Sequence, residues 1–151
     1  MNNIFKSLFL LLLTASLFAC GVISGSDPES LQVRNGLPCF FAKLDKKEPV
    51  TIVFLGGSIT NHTGYRVQIT QWLEERYPDV KFETVNSAIG GTGSDLGVFR
   101  TDRDVLEHNP DLVFVEFAVN DAKTDSLVIC NSMEGIVRKI RRHNPGTEIC
   151  F

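Results

Sequence analysis

The strongest constraint in this sequence is a rhythm that begins at residue 50. Val50 to Leu55 (VTIVFL) is an unbroken run of apolar β-formers, the pattern of a strand covered on both faces. Tyr65 to Tyr77 then places Tyr65, Ile69, Trp72, Leu73 and Arg76 at helical spacing, and Pro78 stops it. Val80 to Asn86 alternates through Val80, Phe82 and Val85 and reads as a second strand. Leu96 to Glu107, with Leu96, Phe99, Val105 and Leu106, reads as a helix closed by Asn109-Pro110. Leu112 to Val119 (LVFVEFAV) is a third strand and the most apolar. Ser126 to Arg142 carries Met133, Ile136, Val137 and Ile140 on one stripe, with basic residues near its C-terminal end, where positive charge suits the helix dipole. Asn144-Pro145-Gly146 ends that helix, and Thr147 to Phe151 opens a fourth strand. The order βαβαβαβ predicts an α/β fold, with a parallel sheet between helices on both faces. Residue 151 falls in or just after a strand, so the expectation is the front portion of a longer domain.

Composition excludes several alternatives. The chain has 151 residues, of which 43% are hydrophobic and 22% charged, the balance of a single globular domain. Disorder, a collagen-like chain and a multi-span membrane protein are excluded. The formal net charge is −3, and loss of a leader containing Lys6 makes it more negative. That leaves no electrostatic case for a nucleic-acid partner.

The amino-terminal segment MNNIFKSLFLLLLTASLFAC has Lys6 as a positive n-region, followed by a short apolar run. A spanning helix needs about 20 apolar residues, so this run reads as a signal h-region. Leu17-Phe18-Ala19-Cys20-Gly21 resembles the end of a bacterial lipoprotein signal, which is cut before a cysteine that then carries the lipid. The resemblance implies residues 1–19 as signal, Cys20 as lipid attachment point, and an exported, periplasmic or outer-membrane lipoprotein held to the membrane by lipid. The alternative is an ordinary signal peptide with an incidental Cys20. Residues 20–36 read as a tether and 37–151 as the domain. Leu37 to Phe41 is expected to pack on that domain, and Lys46 to Pro49 to form an exposed turn. Cys39, Cys130 and Cys150 lack the paired spacing of a zinc or redox motif. Cys150, in an apolar run, reads as a buried small hydrophobe.

In open α/β sheets, sites form at the carboxyl ends of strands. Three such ends hold unusual residues: Gly56-Gly57-Ser58-Ile59-Thr60, then Asn86 to Ser94 with Gly90, Gly91 and Gly93, then Asn120-Asp121. Ser58 is a hydroxyl on a glycine-rich turn, where a substrate can approach the backbone closely. Such a serine is a nucleophile once a base activates it. The Gly90–Gly93 loop offers backbone N–H groups, and Asn120 offers an amide. Donors converging beside a serine suit acyl transfer, in which charge develops on the carbonyl oxygen. Singly, each block also reads as a turn or a helix cap.

Together the three blocks resemble the SGNH, or GDSL-like, hydrolase superfamily. The first block matches at Gly56, Ser58 and Ile59, with Gly57 where the family commonly has aspartate. The second matches at Asn86 and Gly91. The third matches at Asn120-Asp121, with Ala118 where many members have glycine. The resemblance covers residues 37–151 and implies a flavodoxin-like three-layer α/β/α fold. It also implies a serine esterase: Ser58 as nucleophile, an oxyanion hole from the N–H groups of Ser58 and Gly91 with the Asn120 side chain, and no metal or organic cofactor. The implied substrate is a small acyl ester, such as an acetyl group on a glycan.

The family's D-x-x-H block, which supplies the catalytic base, does not occur in these 151 residues. His62 reads as an exposed loop residue, while His108 and His143 fall at helix ends on the opposite edge of the sheet; none is assigned as base. A serine without a base is a weak nucleophile. The second hypothesis is therefore a catalytically incomplete lipoprotein that uses the same edge to bind glycans, or a non-functional fragment. A nucleotide site at Gly90–Gly93 is a weaker third, because neither GxGxxG spacing nor a GK[ST] motif is present. Asp95, Asp102 and Asp104 read as solvated helix acids and not as a metal site. Arg100 reads as a structural partner of Glu116 or Asp121, with a substrate carboxylate as the alternative.

Overall fold

The computed structural model describes residues 36–151. The signal segment, Cys20 and all of the tether except Gly36 lie outside the described residues. The elements are helix α1 (Pro38–Asp45), strand β1 (Val50–Gly56), helices α2 (Ser58–Asn61) and α3 (Tyr65–Arg76), strand β2 (Phe82–Ala88), and helix α4 (Ser94–Asp104). A 3₁₀ turn (Leu106–His108), strand β3 (Leu112–Glu116), helices α5 (Ala118–Asp121) and α6 (Ser126–His143) and strand β4 (Glu148–Cys150) follow.

The four strands form one parallel sheet in the order β2-β1-β3-β4. Val53 of β1 pairs with Val85 of β2 on one side and with Val113 of β3 on the other. The chain moves outward from β1 to β2, then crosses back over β1 to β3. The direction of winding therefore reverses between β1 and β3, and in open α/β sheets the crevice at such a switch point is where ligands bind.

Two cores lie on opposite faces of the sheet, as a three-layer fold requires. Strand β1 alternates its side chains between them. Val50, Ile52 and Phe54 pack with Phe40 and Leu44 of α1 and Leu73 of α3. Val53 and Leu55 pack with Val113, Val115, Phe117 and the α6 residues Ile136 and Ile140. Ile52, Val53, Phe54 and Leu55 are fully buried. Burying each such side chain contributes about 1.5–3 kcal/mol relative to exposure. Phe54 stacks on Phe114 at 5.0 Å between ring centroids, with Tyr65 edge-on to both.

Several boundaries depart from the sequence reading. Strand two starts at Phe82, because Val80 is still held in the preceding turn through its N–H on Tyr77 O. Strand three stops at Glu116, and Ala118–Asp121 turn into a helix that leaves Val119 exposed. Helix α4 begins at Ser94, two residues before the expected start, and its buried face is not the apolar stripe. Ser94, Gly97, Arg100 and Thr101 face inward while Leu96 and Phe99 face solvent. The Phe117 ring packs directly over the Gly97 Cα, so a small residue is required there. Trp72 is likewise outside the α3 contact face. Helix α1 was not expected as a helix, although Pro38 in its first turn is a start signal. The buried Glu148 carboxylate accepts from the Cys39 and Phe40 N–H groups at 3.1 and 2.8 Å, satisfying that helix start from β4.

Candidate active site

The turn after β1 and the turn after β3 are fastened side by side. Gly57 N–H donates to Glu116 O at 3.2 Å, extending the β1–β3 ladder by one bond. Ser58 follows as the first residue of α2 and is half-buried. Asn120 stands on α5 directly over Gly57. A Cβ at position 57 would overlap the Asn120 Oδ1 and come within 3.1 Å of Thr92 O. A side chain at position 57 would therefore require Asn120 to shift. No hydrogen bond among the described residues engages the Asn120 side chain.

The third contributor is the loop after β2. Ile89 N–H donates to Gly56 O at 3.0 Å, drawing the loop toward the end of β1. Gly90 lies against Ser58: a Cβ on Gly90 would sit 3.9 Å from the Ser58 Cβ. Gly91 is exposed with φ +78°, a left-handed conformation that side chains rarely adopt. The structure thus brings Ser58, the Gly90–Gly91 turn and Asn120 to one edge. Ile59, Ile89 and Val119, each one position from a Ser58, Gly90 or Asn120 neighbour, remain exposed.

The remaining polar residues nearby are structural. Asp121 is buried, and its Oδ1 accepts from Ser94 N–H at 3.0 Å, pinning the start of α4 to the Asn120 turn. Asn86 accepts from Ala88 N–H and donates through Nδ2 to Asn61 Oδ1, joining the β2 end to α2. Arg100 corrects the sequence reading of its partner. Its guanidinium donates to Gly56 O at 3.1 Å, to Ser87 O and to Asp104 at 3.0 Å, and to neither Glu116 nor Asp121. It clamps the carboxyl ends of β1 and β2 from beneath. Hydrogen bonding from Arg103, reinforced by Arg100, holds the Asp104 carboxyl below its ordinary pKa despite partial burial.

His62 follows α2 and is exposed; its backbone N–H donates to Ser58 O, and its ring bonds to no described residue. His143 lies toward the opposite, amino edge, with its Nε2 3.0 Å from Asn109 Oδ1, whereas His108 ends the 3₁₀ turn and faces the side of β2, away from Ser58. No group of three or more acidic, histidine or cysteine side chains poised for a metal occurs among the described residues. Cys39 and Cys130 are exposed free thiols, while Cys150 is half-buried, and burial raises its pKa. A shallow groove along β2, lined by Asn86, Ser87, Ile89, Arg103, Asp104 and His108, does not include Ser58.

Known proteins share this fold. The two-domain esterase CEX, described as active on acetylated mannans and solved with mannopentaose, matches with a TM-score of 0.69 and 32% identity, over 75% of this chain and 32% of that one. The acetyl xylan esterase AlAXEase matches with a TM-score of 0.55 and 25% identity, over 63% and 54% of the two chains. The lipase/acylhydrolase from Enterococcus faecalis shares the fold at 21% identity, with a TM-score of 0.55 over 66% and 55%. The present chain spans about a third of the length of the two-domain esterase. No curated protein matches the sequence. The model of the GDSL-like lipase/acylhydrolase family matches residues 54–150, from the middle of β1 to the end of β4, and so takes in all three turns that meet at Ser58. On that match and on the fold, this chain belongs to the GDSL-like lipase/acylhydrolase family.

Proposed function

We propose that this domain is part of a serine ester hydrolase acting on acyl esters, with O-acetyl groups on carbohydrates as the preferred substrate class. The observation that carries the reading is the meeting of Ser58, the Gly90–Gly91 turn and the unengaged Asn120 amide at the sheet's switch point. The carbohydrate component draws on two relatives, one described as active on acetylated mannans and the other as an acetyl xylan esterase.

In this reading Ser58 Oγ attacks the ester carbonyl carbon while its proton passes to a base. The carbonyl oxygen becomes an oxyanion and accepts hydrogen bonds from the Ser58 and Gly91 N–H groups and from Asn120 Nδ2. Donors fixed before the reaction stabilise that charge without reorganising. The tetrahedral carbon then expels the alcohol, which takes a proton, leaving an acyl group on Ser58. Water releases the acid and restores the hydroxyl. The base is assigned to none of His62, His108 and His143. The rim of Ile59, Ile89 and Val119 suits the apolar part of a short acyl ester.

The test, in a longer chain that supplies the base, is Ser58→Ala in turnover of p-nitrophenyl acetate and of an acetylated oligosaccharide. Hydrolysis should be abolished while circular dichroism is unchanged; retained turnover ends the mechanism. Export and lipid attachment at Cys20 complete the proposal, placing the domain as a periplasmic or outer-membrane lipoprotein. Labelled palmitate should enter the wild-type chain and not Cys20→Ala.

A further inference from the structure

Beneath the Ser58 turn lies a polar chain that the reaction as drawn does not use. Thr60, fully buried, donates from Oγ1 to Glu116 Oε2 at 3.4 Å and lies 2.9 Å from the Tyr65 hydroxyl. A carboxylate only accepts, so the Thr60 proton goes to Glu116 and Tyr65 donates to Thr60. The Tyr65 pKa is raised, first by burial and also by the nearby Glu116 charge, so its hydroxyl keeps the proton this chain needs. The other carboxylate oxygen, Glu116 Oε1, accepts from Ala118 N–H at 3.0 Å, at the start of the Asn120 helix. The backbone of the same residue accepts from Gly57 N–H. Gly56 is pressed between these parts: a Cβ there would overlap Thr60 Oγ1 and stand 2.5 Å from Glu116 O.

We propose that Glu116 is a positioning residue that sets the Ser58 turn against the Asn120 turn, one carboxylate oxygen holding each through Thr60 and Ala118. The inference rests on the hydrolase reading above, since it concerns the distance between the proposed nucleophile and an oxyanion donor. Two short helices of four residues each have little stability of their own. Their relative placement therefore depends on what bridges them. Alanine has neither oxygen, so Glu116→Ala removes both links, whereas glutamine could keep both by donating from Nε2 to Thr60 Oγ1.

In a longer chain that supplies the base, the experiment measures steady-state kinetics and amide NMR spectra for Glu116→Ala, Thr60→Val and Thr60→Ser, with Ser58→Ala as control. A misplacement near 1 Å can cost about a hundredfold in rate, so Glu116→Ala and Thr60→Val should lose about ten- to a hundredfold in kcat with KM within about twofold. Thr60→Ser keeps the hydroxyl and should restore most of the rate. The Ser58 backbone and Asn120 side-chain amide signals should shift together in the two impaired variants. A Thr60→Val variant with wild-type kcat, or a Thr60→Ser variant as impaired as Thr60→Val, overturns the proposal. If Ser58→Ala leaves turnover unchanged, the esterase reading fails separately. The NMR arm then decides the coupling, and unmoved Ser58 and Asn120 signals refute it.

Discussion

The two edges of the sheet use similar residue types to opposite ends. At the amino edge, polar side chains are fastened to one another. Asp111 accepts from Lys43 at 2.6 Å and from Thr51 N–H at 2.9 Å, Thr147 donates to Pro110 O at 2.7 Å, and His143 lies against Asn109. At the carboxyl edge, Asn120 is held in place by packing on Gly57, yet its amide is engaged by no described residue. Asp121, the next residue, shows the contrast at close range, because it is buried and bonded to Ser94. Polar groups that satisfy one another stabilise a fold; groups held rigidly with capacity to spare can act on a ligand.

The comparison can be broken by substitution. After Ser58→Ala, the largest effect should come from Asn120→Ala, with a loss of roughly 10²–10³ in kcat if the amide meets the oxyanion. A loss confined to KM would make Asn120 a binding residue. Gly57→Ala should come next: its methyl displaces Asn120 and should lower kcat by about tenfold or more, given how steeply rate depends on placement. Wild-type kinetics in that variant would show that the two turns separate freely. Asp111→Ala should behave in the opposite way. It strands the Thr51 N–H and should cost about 1–3 kcal/mol in denaturant unfolding, with kcat unchanged. The smallest effect belongs to His143→Ala, which should stay within about 0.5 kcal/mol and leave the rate untouched. A large rate loss there would place a functional group on the wrong edge.

Much of the fold was legible because β1 is buried on both faces, and that burial demands an unbroken apolar run that no surface element carries. The shared placement of Ser58, Gly91 and Asn120 was legible because each follows a strand, and parallel topology sends every such end to one edge. Helix α4 was less so, since its inward face is built of Ser94, Gly97, Arg100 and Thr101. Small residues there admit the Phe117 ring, and hydrophobic spacing does not register that. The Ala118–Asp121 turn was hidden for a related reason, as Phe117 to Val119 continue the apolar run of the strand although the backbone has already turned.

The sequence by itself determined the layer order, the strand ends where the candidate site lies and the family, because these depend on local periodicity and short motifs. Tertiary structure alone decided which polar residues hold the fold and which stay open. Arg100 found Gly56, Ser87 and Asp104, and Glu148 reached across to start α1. Glu116 came to bridge Thr60 and Ala118. Such pairings join residues up to 109 positions apart. They are set by the winding reversal between β1 and β3 and by the requirement that buried polar groups find partners, which no local pattern encodes.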